Sequence, residues 1–385
     1  MSKISTLLFY IMIDIFAVFF MWLACQSKPQ KKQNKIFKTN IHGKLAITHS
    51  SFYVLISFLI LFLLLALRNF VGTDYARYVE LYDQIGNNNL APIEQKWLLT
   101  SIGYWIGCKL LYYFTNNTFI MFAVIAYFTL KYFYKSILLI SSNWALSLYL
   151  LICFCLYYQC FNQIRQMLSI AIVAYSCKYL IKDDLKGFLF TIMIACSFHL
   201  SSAIFLPVWI VKKYPVNTLF VIFYFISGIF IFIFFDCIIQ LFSNTLYISI
   251  YAGSDEFARE LTLSTILNFF VRLTLFLFCL YFSRKTIHRS PHLQIFYHIA
   301  AICTVLQVAA IKFNIFGRLT TYFYVGYIFL LPEVFQTFNL YFRKSSRIPL
   351  KIAVIAFFAL YHFVYYFSSS GASGGGYLYY SFIPF

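Results

Sequence analysis

The sequence predicts an all-α, polytopic integral membrane bundle of about 10–12 transmembrane helices. Three observations predict it. The 385 residues are 62% hydrophobic and 11% charged, where soluble chains run at about 45–50% and about 25%. The mean hydropathy is +0.78. Apolar runs recur along the whole chain, at 4–24, 51–67, 97–114, 117–134, 137–160, 166–181, 188–211, 217–235, 262–283, 293–311, 318–340 and 350–367. A crossing takes about 20 apolar residues, and most of these runs reach that length. The composition excludes a soluble globular domain and a disordered chain, and 1–385 reads as one multi-pass membrane domain. The formal charge of +18 is read as the positive-inside bias of a membrane protein, so no nucleic-acid partner is expected. The ten cysteines form no CxxC and no zinc-spaced cluster, so they read as small apolar residues and neither metal nor cofactor is expected. No Walker loop, GxSxG elbow, HExxH or DxD pair occurs, which argues against an ATP-driven pump.

The elements follow in order. Ile4 to Ala24 reads as a first span rather than a signal peptide: the run is long, only Lys3 precedes it and no A-x-A site follows. The loop 25–50 holds Lys28, Lys31, Lys32, Lys35, Lys38 and Lys44 and no acid. It is assigned to the cytoplasm, against anionic lipid. The loop 68–96 then returns outside. The run 97–114 carries Gly103, Gly107 and Lys109, a poor lipid-facing set, and is expected to be re-entrant or interfacial on the outer side. The run 188–211 carries Ser197, His199, Ser201 and Ser202 at its centre and Pro207 later. Polar, broken backbone at membrane depth is tolerated where it is buried in protein or lines a cavity. A broken helix or hairpin with His199 near its tip is therefore expected. With these two departures, Lys131/Lys135, Lys178/Lys182/Lys186, Lys212/Lys213, Arg284/Lys285/Arg289 and Arg343/Lys344/Arg347/Lys351 all fall inside. The loop 236–261, with Asp236, Asp255, Glu256 and Glu260, falls outside. The tail 368–385 joins a flexible Gly/Ser stretch to an aromatic end lying on the outer surface or over the site.

Orientation explains twenty of the 30 cations, mostly lysines. The other ten are Lys3, Arg68, Arg77, Lys96, Lys109, Arg165, Arg259, Arg272, Lys312 and Arg318. They are mostly arginines, and orientation does not ask for Arg over Lys. Arg offers a planar fork of donors that suits phosphate oxygens, and it keeps its charge when partly dried. An anion site at the outer leaflet is the functional reading.

Four segments carry that reading. Arg68-Asn-Phe-Val-Gly72-Thr-Asp74-Tyr-Ala-Arg77-Tyr78 directly follows a span. Gly72 permits a turn with backbone N–H groups towards a ligand, and Asp74 anchors an arginine or accepts a proton. An interfacial belt of snorkelling Arg and headgroup Tyr fits the same residues. Asn162-Gln-Ile-Arg165-Gln166 lies between two apolar runs, as an anion site or a capped turn facing lipid phosphate. Phe198-His199-Leu-Ser201-Ser202 marks the proposed break, with His199 as a general base or a satisfied interhelical hydrogen bond. Gly317-Arg318-Leu-Thr-Thr-Tyr322 opens a span with a cation against the helix dipole, which favours an anion partner. Asp14, in mid-span, reads as hydrogen-bonded between helices.

These motifs, R-x3-G-T-D-Y-x2-Y, N-x2-R-Q, F-H-x-S and R-L-x2-Y in this order, resemble the EpsG branch of the Wzy-like bacterial polysaccharide polymerases over nearly the whole chain. The resemblance implies a multi-pass glycosyltransferase of the bacterial cytoplasmic membrane with its active site facing outside. It implies that a growing glycan moves from polyprenyl (undecaprenyl) diphosphate to a lipid-linked acceptor repeat. Arg165 and Arg318 then bind the diphosphate, and Arg68 completes the clamp or holds the second carrier. Arg77, Tyr78, Gln166 and Tyr322 line the substrate site, and His199 or Asp74 takes the acceptor proton. Tyr75, Tyr78 and Trp105 are candidates for stacking on sugars. The expected partners are a polyprenyl-diphosphate-linked oligosaccharide and the bilayer, with a chain-length regulator and a flippase as further candidates. Capsule, exopolysaccharide and O-antigen stay open as products. A flippase or exporter of lipid-linked oligosaccharide, or a membrane acyltransferase acting on exported polysaccharide, are the competing functions.

Overall fold

The computed structural model describes residues 3–27, 49–91, 95, 99–242, 263–312, 315–368 and 380–381. The lysines of the basic loop, Glu94, Lys96, most of the loop 236–261 and most of the tail lie outside the described residues. Among those described there is no strand, and the helices are α1 (Lys3–Gln26), α2 (His49–Ala66), α3 (Tyr75–Gly86), α4 (Ile102–Phe114), α5 (Thr118–Ile140), α6 (Trp144–Cys153), α7 (Leu156–Gln159), α8 (Ile164–Lys182), α9 (Leu185–Phe198), α10 (Val208–Val211), α11 (Thr218–Phe242), α12 (Leu263–Tyr281), α13 (Ser283–Arg289), α14 (Gln294–Lys312), α15 (Ile315–Thr320), α16 (Tyr324–Tyr341) and α17 (Lys344–Ser368). Seven of these described helices are long and apolar enough to cross a membrane: α1, α2, α5, α8, α11, α14 and α17. The pair α12–α13, bent by 60°, makes an eighth if it is one broken span. The protein is thus an all-α, multi-pass membrane protein.

The remaining apolar runs are interrupted, each for a local reason. The run 137–160 is not one span. Helix α5 extends to Ile140, and the Ser141–Asn143 stretch breaks it. Asn143 then caps α6 by accepting from Leu146 N–H at 3.1 Å, which supplies one orphan donor of the new helix start. Cys155, at φ +60°, ends α6 in the left-handed region before the single turn α7. Among the described residues, the run 97–114 contains the 13-residue α4, and the run 318–340 is divided by a 3-10 turn, Thr321–Phe323.

The chain divides into two compact units. Unit 1 comprises Met1–Asn89, Gly107–Ala171 and Leu350–Phe385, and unit 2 comprises Leu90–Ile106 and Ile172–Pro349. In unit 1, α1 packs along α2 and α6, and α2 along α5. One buried hydroxyl ties three of these helices. Ser57 Oγ donates to the Ala17 carbonyl at 2.7 Å, so the Tyr134 hydroxyl, 2.8 Å away, is the donor to Ser57. Asp14 accepts from the Tyr158 hydroxyl at 2.8 Å, the interhelical hydrogen bond expected of it. Such polar contacts hold apolar helices together where lipid is as apolar as the side chains.

In unit 2, α14 is the central helix, packing on α11, α12, α15 and α16. Its pairs Ala300/Ala301 and Ala309/Ala310 are buried, and small residues let neighbouring backbones come close. His298 Nε2 donates to the Tyr214 carbonyl at 2.8 Å. Its Nδ1 is therefore the acceptor for the Tyr224 hydroxyl at 2.9 Å, and both ring nitrogens are accounted for.

Candidate functional site

In unit 1 the predicted residues gather around two chain turns. Beyond α2, Arg68 folds inward and is 2% exposed. Its Nη1 donates to the Cys160 carbonyl at 3.1 Å. The guanidinium carbon lies 4.7 Å from the Phe122 ring centre, 5.2 Å from that of Phe161 and 5.9 Å from that of Tyr75, an arrangement favoured by ring quadrupoles. Burial brings Arg68 down to about 10, so it remains charged at neutral pH. Arg68 is anchored by a carbonyl and aromatic faces, and Asp74 is not its anchor. The acid accepts from Thr73 Oγ1 at 3.3 Å instead.

Gly72 makes the turn possible. Its φ is +102°, and a Cβ there would stand 2.5 Å from both the Phe161 carbonyl oxygen and Asn162 Oδ1. The glycine therefore presses the 68–74 loop directly on the Asn162–Arg165 segment. Helix α3 starts from this turn, with Tyr78 N–H donating to the Asp74 carbonyl at 3.0 Å. Tyr78 is 7% exposed, and its ring centre lies 5.9 Å from the Arg165 guanidinium carbon. Gln166 is buried, Asp74 and Arg165 are half-buried, and Arg77 is exposed. Tyr75 is buried and stacks on Phe122 with 4.7 Å between ring centres, which assigns it to packing rather than to a sugar face.

In unit 2 the broken segment is a hairpin. Helix α9 starts after Asp184 and ends at His199, whose backbone is extended (φ −157°, ψ 112°). A 3-10 turn over Leu200–Phe205 follows. The chain then returns: Trp209 stacks on Phe188 with 5.6 Å between ring centres. Lys212 Nζ reaches the Leu180 carbonyl at 2.9 Å and Asp183 Oδ1 at 2.7 Å. The entry and exit of the segment thus meet, and His199 stands at the far end. The hydrogen bond from Lys212 holds the Asp183 carboxyl below its ordinary range.

At the tip, Ser201 Oγ lies 2.8 Å from His199 Nδ1 and 3.1 Å from the Tyr322 hydroxyl. Two motifs 121 residues apart, F-H-x-S and R-L-x2-Y, are joined by that one hydroxyl. Leu200 N–H donates to the Thr100 carbonyl at 2.9 Å, which fixes the residue after His199. His199 and Arg318 are half-buried, whereas Tyr322 is fully buried. Arg318 does not open a helix: it lies in the last turn of α15, where a cation does not oppose the helix dipole, and its carbonyl accepts from Thr321 Oγ1 at 2.5 Å. When His199 Nδ1 carries the proton and donates to Ser201, Nε2 is the basic nitrogen.

The structure sorts the leftover cations further. Lys109 Nζ donates to the carbonyls of Ile85 and Gly86 at 3.2 and 2.8 Å and to Asn88 Oδ1 at 2.6 Å. It caps the C-terminal end of α3, where a cation meets the helix dipole favourably. Arg272, 1% exposed, donates to the Tyr324 hydroxyl at 2.8 Å. Sequence reasoning missed Ser201 as a link, because its partner is remote in the chain, and the FHxS spacing was its only local signal. It also missed His362, whose Nδ1 lies 3.3 Å from Cys155 Sγ, for want of any local motif.

These features define a polytopic helical membrane protein with half-buried cations and a hydrogen-bonded histidine set into its units. The family model described as the EpsG family matches residues 51–384, and the chain belongs to the EpsG family. No curated protein and no solved structure matches it. The membership is consistent with a membrane enzyme of polysaccharide biosynthesis.

Proposed function

We propose that the chain is a repeat-unit polymerase. It transfers a growing glycan from polyprenyl diphosphate to a lipid-linked acceptor repeat on the outer side of a bacterial cytoplasmic membrane. The observation that carries this reading is the His199–Ser201–Tyr322 link at the tip of the broken hairpin. It gives a half-buried imidazole a fixed orientation, as a general base requires. The acceptor hydroxyl oxygen forms a bond to the anomeric carbon of the donor, and the bond from that carbon to the diphosphate breaks. His199 Nε2 takes the hydroxyl proton, and polyprenyl diphosphate leaves with the electron pair.

Two lipid-linked reactants bring two diphosphates, and two arginines of the sequence motifs are half-buried, Arg165 and Arg318. Each contacts one diphosphate, and the one on the donor steadies the charge of the leaving group. Arg68 is too enclosed to clamp an anion outright and supports Arg165 through the Cys160–Asn162 turn. Asp74 is the second candidate for the base.

A deletion strain tests the reading. Loss of long polymer with single repeats still displayed outside supports a polymerase. Loss of the displayed repeats as well points to a flippase and overturns it. A tag after Lys212 that reports an outside location contradicts the orientation.

A further inference from the structure

Residues Tyr380 and Ser381 lie far along the chain from the Arg68 loop, yet they are built into it. Tyr380 is 1% exposed. Its hydroxyl donates to the Leu64 carbonyl in the last turn of α2 at 2.8 Å. Its backbone N–H donates to Thr6 Oγ1 in α1 at 3.3 Å. Its ring centre lies 5.4 Å from that of Phe9 and 5.9 Å from that of Tyr10. Next to it, the Ser381 carbonyl accepts from Asn69 N–H at 2.9 Å, and Ser381 Oγ donates back to the Asn69 carbonyl.

The consequence lies in what else holds the loop. Beyond α2 the chain leaves the helical ladder, so its backbone groups need partners. On one side, Arg68 and Gly72 press the loop onto Cys160, Phe161 and Asn162. On the other side, both backbone groups of Asn69 are taken by Ser381. The loop is clamped from two sides, and Arg165 follows directly on the segment it bears against.

We propose that Tyr380 is a positioning residue for anion binding at Arg165: it seats Ser381 on Asn69, holds the 68–72 loop against the Asn162–Arg165 segment, and so fixes where the arginine presents its donors. This rests on the reading of Arg165 as a lipid-diphosphate ligand. Tyr380 touches no substrate. It acts through a contiguous chain of contacts within unit 1, from Ser381 to Asn69, Arg68 and Gly72, then to Phe161 and Asn162.

The test uses the full chain in lipid nanodiscs with farnesyl diphosphate as the probe. Tyr380→Ala is expected to weaken the apparent affinity about tenfold, a size usual for coupling through packed networks. Tyr380→Phe keeps the ring between Phe9 and Tyr10 and is expected to restore most of that loss. Phe9→Ala strips packing from the same cluster without touching the loop's hydrogen bonds. It is expected to lower the thermal midpoint as Tyr380→Ala does while leaving affinity near wild type. If Tyr380→Ala binds as wild type while Arg165→Ala loses the probe, the positioning role is overturned and the polymerase reading stands. Equal weakening by Phe9→Ala and Tyr380→Ala also overturns it, because the loss is then general loosening. Arg165→Ala binding as wild type overturns the underlying reading of that arginine. Should Tyr380→Ala give no folded protein, Tyr380→Leu, which fills the space without ring or hydroxyl, is measured against the same outcomes.

Discussion

Ser201 Oγ and the Tyr322 hydroxyl stand 3.1 Å apart, and the same Ser201 oxygen is 2.8 Å from His199 Nδ1. Tyr322 is fully buried while His199 is half-buried. The tyrosine is therefore the enclosed end of this chain, and the imidazole is the more open one. The orientation of His199 follows from tertiary packing and not from its own helix, which ends at that residue.

That arrangement orders the effects of mutation. His199→Ala removes the proposed base and is expected to reduce polymer formation by about 100-fold or more. Ser201→Ala and Tyr322→Phe leave the imidazole in place but loosen it, so each is expected to cost about tenfold, in line with groups that orient a working side chain. Gel profiles of polymer from a complemented deletion strain read this. Wild-type polymer from both His199→Ala and Asp74→Ala would remove both candidate bases.

Arg165→Lys separates charge from geometry. Lysine keeps the positive charge but loses the planar fork of donors. The expected result is a shorter or sparser polymer with the protein present at normal level in the membrane. A variant that polymerises as wild type speaks against a diphosphate contact at Arg165.

Gly72→Ala probes the turn itself. The added carbon meets the Phe161 carbonyl oxygen and Asn162 Oδ1 at 2.5 Å, on a backbone with φ +102°. Strain at such a position costs about 1–3 kcal/mol. A lower thermal midpoint in detergent checks this, together with loss of polymer because the clash falls beside Arg165.

The Lys212–Asp183 contact predicts a pH dependence. Lys212 holds the Asp183 carboxyl below its ordinary value of 3.8. A lowered carboxyl contributes stability that is present above the ordinary value and lost as pH falls through the folded one. Wild type and Asp183→Asn should therefore differ in thermal midpoint at neutral pH and converge below the ordinary carboxyl range. Constant separation down to acid pH would exclude the contact as the cause. The exposed acid is screened by solvent, so the difference is expected to be small.

Much of the architecture is legible in the sequence. The all-α, multi-pass character follows from runs of apolar residues, since backbone in lipid must bond to itself and a helix does this locally. The break at His199 was legible for the same reason, as Ser197, His199, Ser201 and Ser202 do not suit an uninterrupted lipid-facing helix. The extra break at Ser141–Asn143 has a local mark, the polar Ser-Ser-Asn triplet with Asn143 as an N-cap residue, which the apolar length on either side of it masks. The set of cations, mostly arginines, that orientation does not explain was legible as a group, but its members have separate uses. Arg68 packs under aromatic rings, Lys109 caps a helix, and Arg165 and Arg318 stay half-buried.

By itself, then, the sequence determined the class of fold, the helix-forming runs and the segment that cannot cross unbroken, because each depends on residues close together in the chain. Only the tertiary structure decided which polar groups meet. Ser201 finds Tyr322 121 residues away, Arg68 finds the Cys160 carbonyl 92 away, and Tyr380 finds Leu64 316 away. Hydrogen bonds act over about 3 Å, and no local pattern specifies a partner that folding alone brings within that reach.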